Sequence, residues 1–243
     1  MKTLFVFFIT IFLGFQINAQ ENAKAILSKV DKTIFAIKDK TSTVEMQMIN
    51  LKTDSKKIKK AILYQKDLDK KLFRYTYPKS DNGIASLTLS DAVYLYLPMF
   101  KKPKKITNLA EGNKFNKSDF SLEDRDNKTY TERFTPSLMK TDADSYVLNL
   151  IPKKTDGSYS RLVVTINKKY YYPEIIEYYD QNHKKLKIAT YTFKKIKNHW
   201  VTTQVTMENV VKNHMTKFIM TDIKVNTGLK DEMFTPEKMV VKK

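Results

Sequence analysis

From Thr41 onward the apolar residues of this chain take up a period of two, and that change of rhythm narrows the possible folds more than any other feature. Val44, Met46 and Met48 alternate with Glu45 and Gln47, the pattern of a strand with one wet face. The pattern returns in short runs near 58–65, 71–77, 85–89, 92–97, 104–109, 146–151, 161–167, 173–179, 186–196, 202–209 and 215–225. Turn chemistry separates several of them: Ser80-Asp81-Asn82-Gly83, Asp156-Gly157-Ser158 and Asp180-Gln181-Asn182-His183. Short breaks between strands describe an antiparallel meander. About eleven strands in one sheet must curl, and any open edge must be covered.

Two stretches break the rhythm. Ala23, Ile26, Leu27, Val30, Ile34 and Ile37 recur at three-and-four spacing, with Lys24, Lys29, Asp31, Lys32 and Lys38 mostly opposite, which predicts one amphipathic helix over 22–37. Residues 113–144 are polar, with isolated Phe115, Phe120, Leu122, Phe134, Leu138 and Met139. They read as a long excursion with a short helix at 118–124, placed to cover one mouth of the sheet. No repeat or Pro/Gly-rich linker interrupts the chain, so residues 20–243 are expected to form a single domain.

The first residues read as an export signal. Met1 and Lys2 precede an apolar run, 4–15, broken only by Thr10 and Gly14, and small Ala19 stands before Gln20-Glu21. The run is too short to span a bilayer, and cleavage is expected near Ala19. The chain has no cysteine, so stability must come from packing rather than disulfides, and thiol chemistry and Cys-containing zinc sites are excluded.

The formal charge of +18 first suggests an anionic partner. Of 44 basic residues, however, only Arg74, Arg125, Arg133 and Arg161 are arginine, and base readout and bidentate phosphate clamping favour the guanidinium. The expectation is therefore no nucleic acid but a solvated lysine surface, loosely attracted to an anionic membrane.

Catalytic patterns are missing. His183, His199 and His214 stand far apart and lack metal-ligand spacing, five glycines leave no phosphate-binding loop, and no Gly-x-Ser-x-Gly elbow occurs. Asp119, Glu123, Asp124 and Asp126 could pair as in glycoside chemistry, but between Lys117, Arg125 and Lys128 they read as local salt bridges. Neither enzyme activity, metal nor cofactor is expected. What the chain holds in excess is apolar stripes: Phe73, Tyr75 and Tyr77; Leu87 and Leu89; Val93, Leu95 and Leu97; Tyr146, Leu148 and Leu150; Leu162, Val164 and Ile166. One helix is a thin cover for eleven strands, so part of the inner face is expected to stay open for an apolar ligand.

Several segments resemble the outer-membrane lipoprotein-sorting, LolA-like family. Val93-Tyr94-Leu95-Tyr96-Leu97-Pro98 precedes the basic run Lys101-Lys102-Pro103-Lys104-Lys105-Ile106 and then Lys117-Ser118-Asp119-Phe120-Ser121-Leu122-Glu123-Asp124. Asn82-Gly83-Ile84-Ala85-Ser86-Leu87, Tyr172-Pro173-Glu174-Ile175-Ile176-Glu177-Tyr178-Tyr179-Asp180 and Phe234-Thr235-Pro236 agree in order. Lys117-Ser118 stands where the family often has glycine, and Leu122 where it has tyrosine. The resemblance implies an α+β, mainly β fold: an unclosed antiparallel β-barrel of about eleven strands over an N-terminal helix and a helical or loop excursion. It also implies a periplasmic carrier or chaperone for acyl chains of lipoproteins or lipids. The expected lining of its apolar cavity is Phe73, Tyr75, Leu87, Leu89, Leu95, Leu97, Leu148, Val164, Ile166 and Ile176. The alternative is a non-enzymatic envelope interaction module whose interior is filled by its own side chains.

Overall fold

The computed structural model describes residues 22–240 apart from 91, 107–117, 122 and 126–127, and the putting together of its strands follows the period-two runs closely. The strands are β1 (Asp39–Asn50), β2 (Lys56–Lys66), β3 (Lys70–Tyr77), β4 (Ala85–Thr88), β5 (Val93–Tyr96), β6 (Lys104–Ile106) and β7 (Phe134–Thr141). They continue with β8 (Ser145–Pro152), β9 (Arg161–Asn167), β10 (Pro173–Tyr179), β11 (Lys185–Ile196), β12 (His199–Asn209) and β13 (His214–Val225). Among the described residues these thirteen form one antiparallel sheet in the order β6-β5-β4-β3-β2-β1-β13-β12-β11-β10-β9-β8-β7. Every neighbouring pair is consecutive in the chain except β1 and β13, where Val44 faces Met220 and Met46 faces Phe218. The edges, β6 and β7, do not meet, so the barrel is unclosed.

The turns behave as their residues dictate. The Asn50 side chain accepts from the N–H groups of Lys52 and Thr53, and that of Asp180 from Asn182 and Lys184. Gly83 has φ +85, and a Cβ there would stand 3.3 Å from Pro98 Cγ. Irregularities in register in β1, β3, β7, β10 and β11 mark the bends that let so long a sheet curl.

Inside the curl lies helix α1 (Ala23–Ile34), capped by the Asn22 side chain, which accepts from the Ala25 N–H at 2.9 Å. Its Ile26, Leu27 and Val30 are buried in one core with Val44, Met46, Phe73 and Tyr75 from one half of the sheet and Leu148, Val164, Ile176 and Met207 from the other. A single cluster fed from both halves shows that the sheet wraps around the helix. Buried Asp31 then accepts from the N–H groups of Tyr130 and Thr131, both at 2.9 Å, and so holds the start of a one-turn helix, α2 (Tyr130–Arg133). Thr129 and Glu132 complete a capping box there.

The outer face carries a second core. Leu72, Ala85, Leu87 and Tyr96 pack under Phe234 and Met239 of the segment after β13. Arg74 donates to the carbonyls of Met239 and Lys238 at 3.1 and 2.8 Å, and Asp231 bridges Lys66 and Lys70.

Three expectations need correction. The excursion contains a strand, β7, whose alternation is weak because it is an edge with only Phe134 fully buried, and where Pro136 is tolerated. The helix expected at 118–124 reduces to a short 3-10 turn, Glu123–Arg125. The predicted helix 22–37 ends at Ile34, and β6 is described only to Ile106. The expected export signal, Lys117 and Asp126 lie outside the described residues.

Candidate functional site

The segment 118–125 is tied to the sheet by buried polar groups rather than by local salt bridges. Asp119 Oδ2 accepts from Thr216 Oγ1 at 2.7 Å and lies 2.6 Å from His214 Nδ1, both on β13. Asp124 accepts from the Lys187 ammonium on β11 at 2.7 Å and from the Tyr159 hydroxyl at 2.6 Å. The Ser158 N–H donates to Glu123 at 3.0 Å. These partners are 35 to 97 residues away in sequence, which corrects the expectation of local pairing. The carboxylates act as anchors, and between them Phe120 is set edge-on to Phe218 at 5.0 Å.

Beneath this anchored segment a cleft of about 290 Å³ remains open on the inner face. Its floor is built by register. Lys40, Gln65 and Lys71 face one another across β1, β2 and β3; the next row inward gives Leu63 and Phe73 to the cleft and the next gives Val44, while Ser42, Ala61 and Tyr75 of those rows are buried and do not border it. Opposite, Tyr191, Val205 and Phe218 form a row across β11, β12 and β13. Ile34 and Phe35 at the end of α1, Phe120 and Tyr130 complete the apolar wall, while Lys128, Arg133 and Asp124 border it. The space is thus apolar within and cationic along one row.

Electrostatics follow burial. Desolvation holds the Lys40 ammonium down to about 8, and no hydrogen bond or ion pair among the described residues offsets it. Burial pushes the Tyr130 phenol up to about 12 and Tyr191 well above the ordinary range, so both stay neutral. The buried Ser42 hydroxyl, one row inward from Lys40, has no hydrogen-bond partner. Among the described residues no group of three His, Cys, Asp or Glu is placed to hold a metal.

The ten residues expected to line a cavity are distributed unevenly. Phe73 borders the cleft. Tyr75, Leu148, Val164, Ile166 and Ile176 belong to the same inner core but pack its solid part. Leu95 shares the inner face, opposite Ser86, and Leu97 follows it; both are half-buried and neither borders the cleft. Leu87 and Leu89 sit in the outer core, because Leu87 pairs with Leu72 rather than with Phe73. The walls that sequence reasoning missed, Val44, Leu63, Val205, Phe218 and Met220, lie on strands that it had identified. Their alternation shows a shared face, but it does not show which strands curl towards each other.

Comparison with known proteins agrees with this architecture. The model of a family described as "-like: Uncharacterized protein" matches residues 67–240. A search of curated proteins found no match. Among solved structures, a domain described as an outer membrane lipoprotein-sorting protein from Vibrio parahaemolyticus has a TM-score of 0.81 at 24% identity, covering 90% of this chain and 98% of that one. A LolA superfamily protein from Nitrosomonas europaea has 0.73 at 20% identity, covering 90% and 100%. A DUF1329 family protein from Desulfovibrio piger has 0.79 at 20% identity, also covering 90% and 100%. The chain therefore belongs to the "-like" family whose model spans residues 67–240, and its fold is that of the LolA-like lipoprotein-sorting proteins.

Proposed function

We propose that the chain is a periplasmic carrier or chaperone that shields acyl chains of a lipoprotein or lipid in the inner cleft. The observation that carries this reading is the apolar space of about 290 Å³ left between α1, the anchored segment and the sheet. An engineered apolar cavity of about 150 Å³ holds one benzene, so this cleft suits roughly a dozen carbons in its present shape. At about 0.8 kcal/mol per buried methylene such a chain gains on the order of 10 kcal/mol before the costs of ordering. Shape and apolar area suffice; no reacting group is required. The resemblance in the signature segments and the signal-like pattern of residues 1–19 support a periplasmic setting.

Contact with an anionic membrane is part of the proposal. Met99 is 78% exposed and Phe100 50%, on a turn followed by the exposed Lys101, Lys102, Lys104 and Lys105. Apolar tips beside basic residues suit the bilayer interface.

Uptake of a fluorescent fatty acid tests the carrier reading. The intact protein should take it up, and Val205→Glu, which puts a carboxylate on the cleft wall, should lower uptake at least ten-fold. Absence of uptake by the intact protein would favour the second reading, a self-filled interaction module. That reading draws on the tight packing of Leu148, Val164, Ile166 and Ile176 in the rest of the interior.

A further inference from the structure

A carrier for purely apolar cargo has no use for a desolvated amine on its cavity wall, yet Lys40 stands on this one, and no described residue hydrogen-bonds or pairs with it. Lys40, Gln65 and Lys71 occupy one cross-strand row of the inner face, all three on the wall of the cleft. Beyond that row the floor turns apolar with Leu63, Phe73 and Val44. The acid on the cleft wall, Asp124, is already held by Lys187 and Tyr159 and leaves Lys40 uncompensated. Burying a charge without a partner is costly. An anionic oxygen bound beside Lys40 would relieve that cost.

We infer that the cleft takes an amphiphile with an anionic head, a carboxylate or a phosphate ester, seated at Lys40 and Gln65, with a single alkyl chain running inward past Leu63 and Phe73. The inference rests on the carrier reading and narrows it. The volume shelters roughly twelve carbons of one chain as the cleft stands. The order of the rows fixes its direction, head towards the start of β1 and tail towards Val44.

Titration calorimetry of the delipidated full chain at neutral pH, with dodecanoate, dodecyl phosphate and dodecanol, tests it. An anionic ligand should bind at least ten-fold more tightly than the alcohol. Lys40→Met should abolish that preference while keeping the alcohol's affinity, and Lys40→Gln serves should Lys40→Met fail to fold. A preference for dodecanoate alone points to a fatty acid, one for dodecyl phosphate alone to a phosphate ester, and either supports the inference. Equal binding of all three ligands overturns it and leaves the carrier reading standing. A preference that survives the loss of Lys40 overturns it too. Failure of every ligand to bind overturns the carrier reading and the inference together.

Discussion

A lysine desolvated by folding carries its charge at a cost, and Lys40 makes that cost measurable. Its ammonium titrates near 8 in the fold against an ordinary 10.5. Above pH 10.5 both states are neutral and no penalty applies; as pH falls, the unfolded chain takes up the proton first and stability drops, until below about 8 the penalty is complete. Lys40→Met should therefore stabilise the ligand-free protein at pH 7 by about 1–3 kcal/mol, and the gain should fade towards pH 10.5. Urea unfolding at the two pH values checks this; a gain independent of pH would contradict the assignment. The Lys187–Asp124 pair makes the opposite case, since both groups are buried and bonded at 2.7 Å. Asp124→Ala should cost roughly 3–5 kcal/mol by leaving an unpaired ammonium inside, read as a lower denaturation midpoint. Neither role was legible in the sequence. Asp124 looked like part of a local acidic cluster, and its partners come from strands that only the fold brings near.

At the scale of elements, periodicity identified α1 and nearly every strand, because strands with a buried face must alternate. It missed β7, an edge strand with little to bury, and it placed Leu87 and Leu89 in the cavity although they belong to the outer core. Alternation tells which residues share a face, not which of two buried faces they share. The strap after β13 creates that second face. Phe234→Ala should cost about 3–5 kcal/mol of stability and leave fatty-acid uptake by the folded protein unchanged, which thermal melts and a fluorescence titration together would show. Leu95→Glu, on the inner face but away from the cleft, should affect uptake far less than Val205→Glu. The turn after β5 is a separate element with its own consequence. Replacing Met99 and Phe100 together by Ser should weaken binding to vesicles containing phosphatidylglycerol, measured by co-sedimentation. Raising the salt should weaken what remains, since exposed charges are screened within about 8 Å at physiological ionic strength.

At the level of the whole fold, an open sheet of thirteen strands over one long helix and one short one, counted among the described residues, leaves a cleft that its own side chains do not fill. The meander was legible because its pairings are local; the β1–β13 closure, which joins the two halves and brings Val44 opposite Met220, was not. That closure gives the cleft its two walls, which is why the site was harder to read than the fold. On the proposed reading, charge distribution and cleft serve one use: a cationic protein that meets membranes and withdraws an acyl chain from water. Native mass spectrometry of the protein purified from its own host tests this most directly. A carrier should appear as a species heavier than the bare chain by the mass of one acyl-bearing molecule, diminished in Val205→Glu. Bare protein alone, still bare after incubation with lipid, would contradict it.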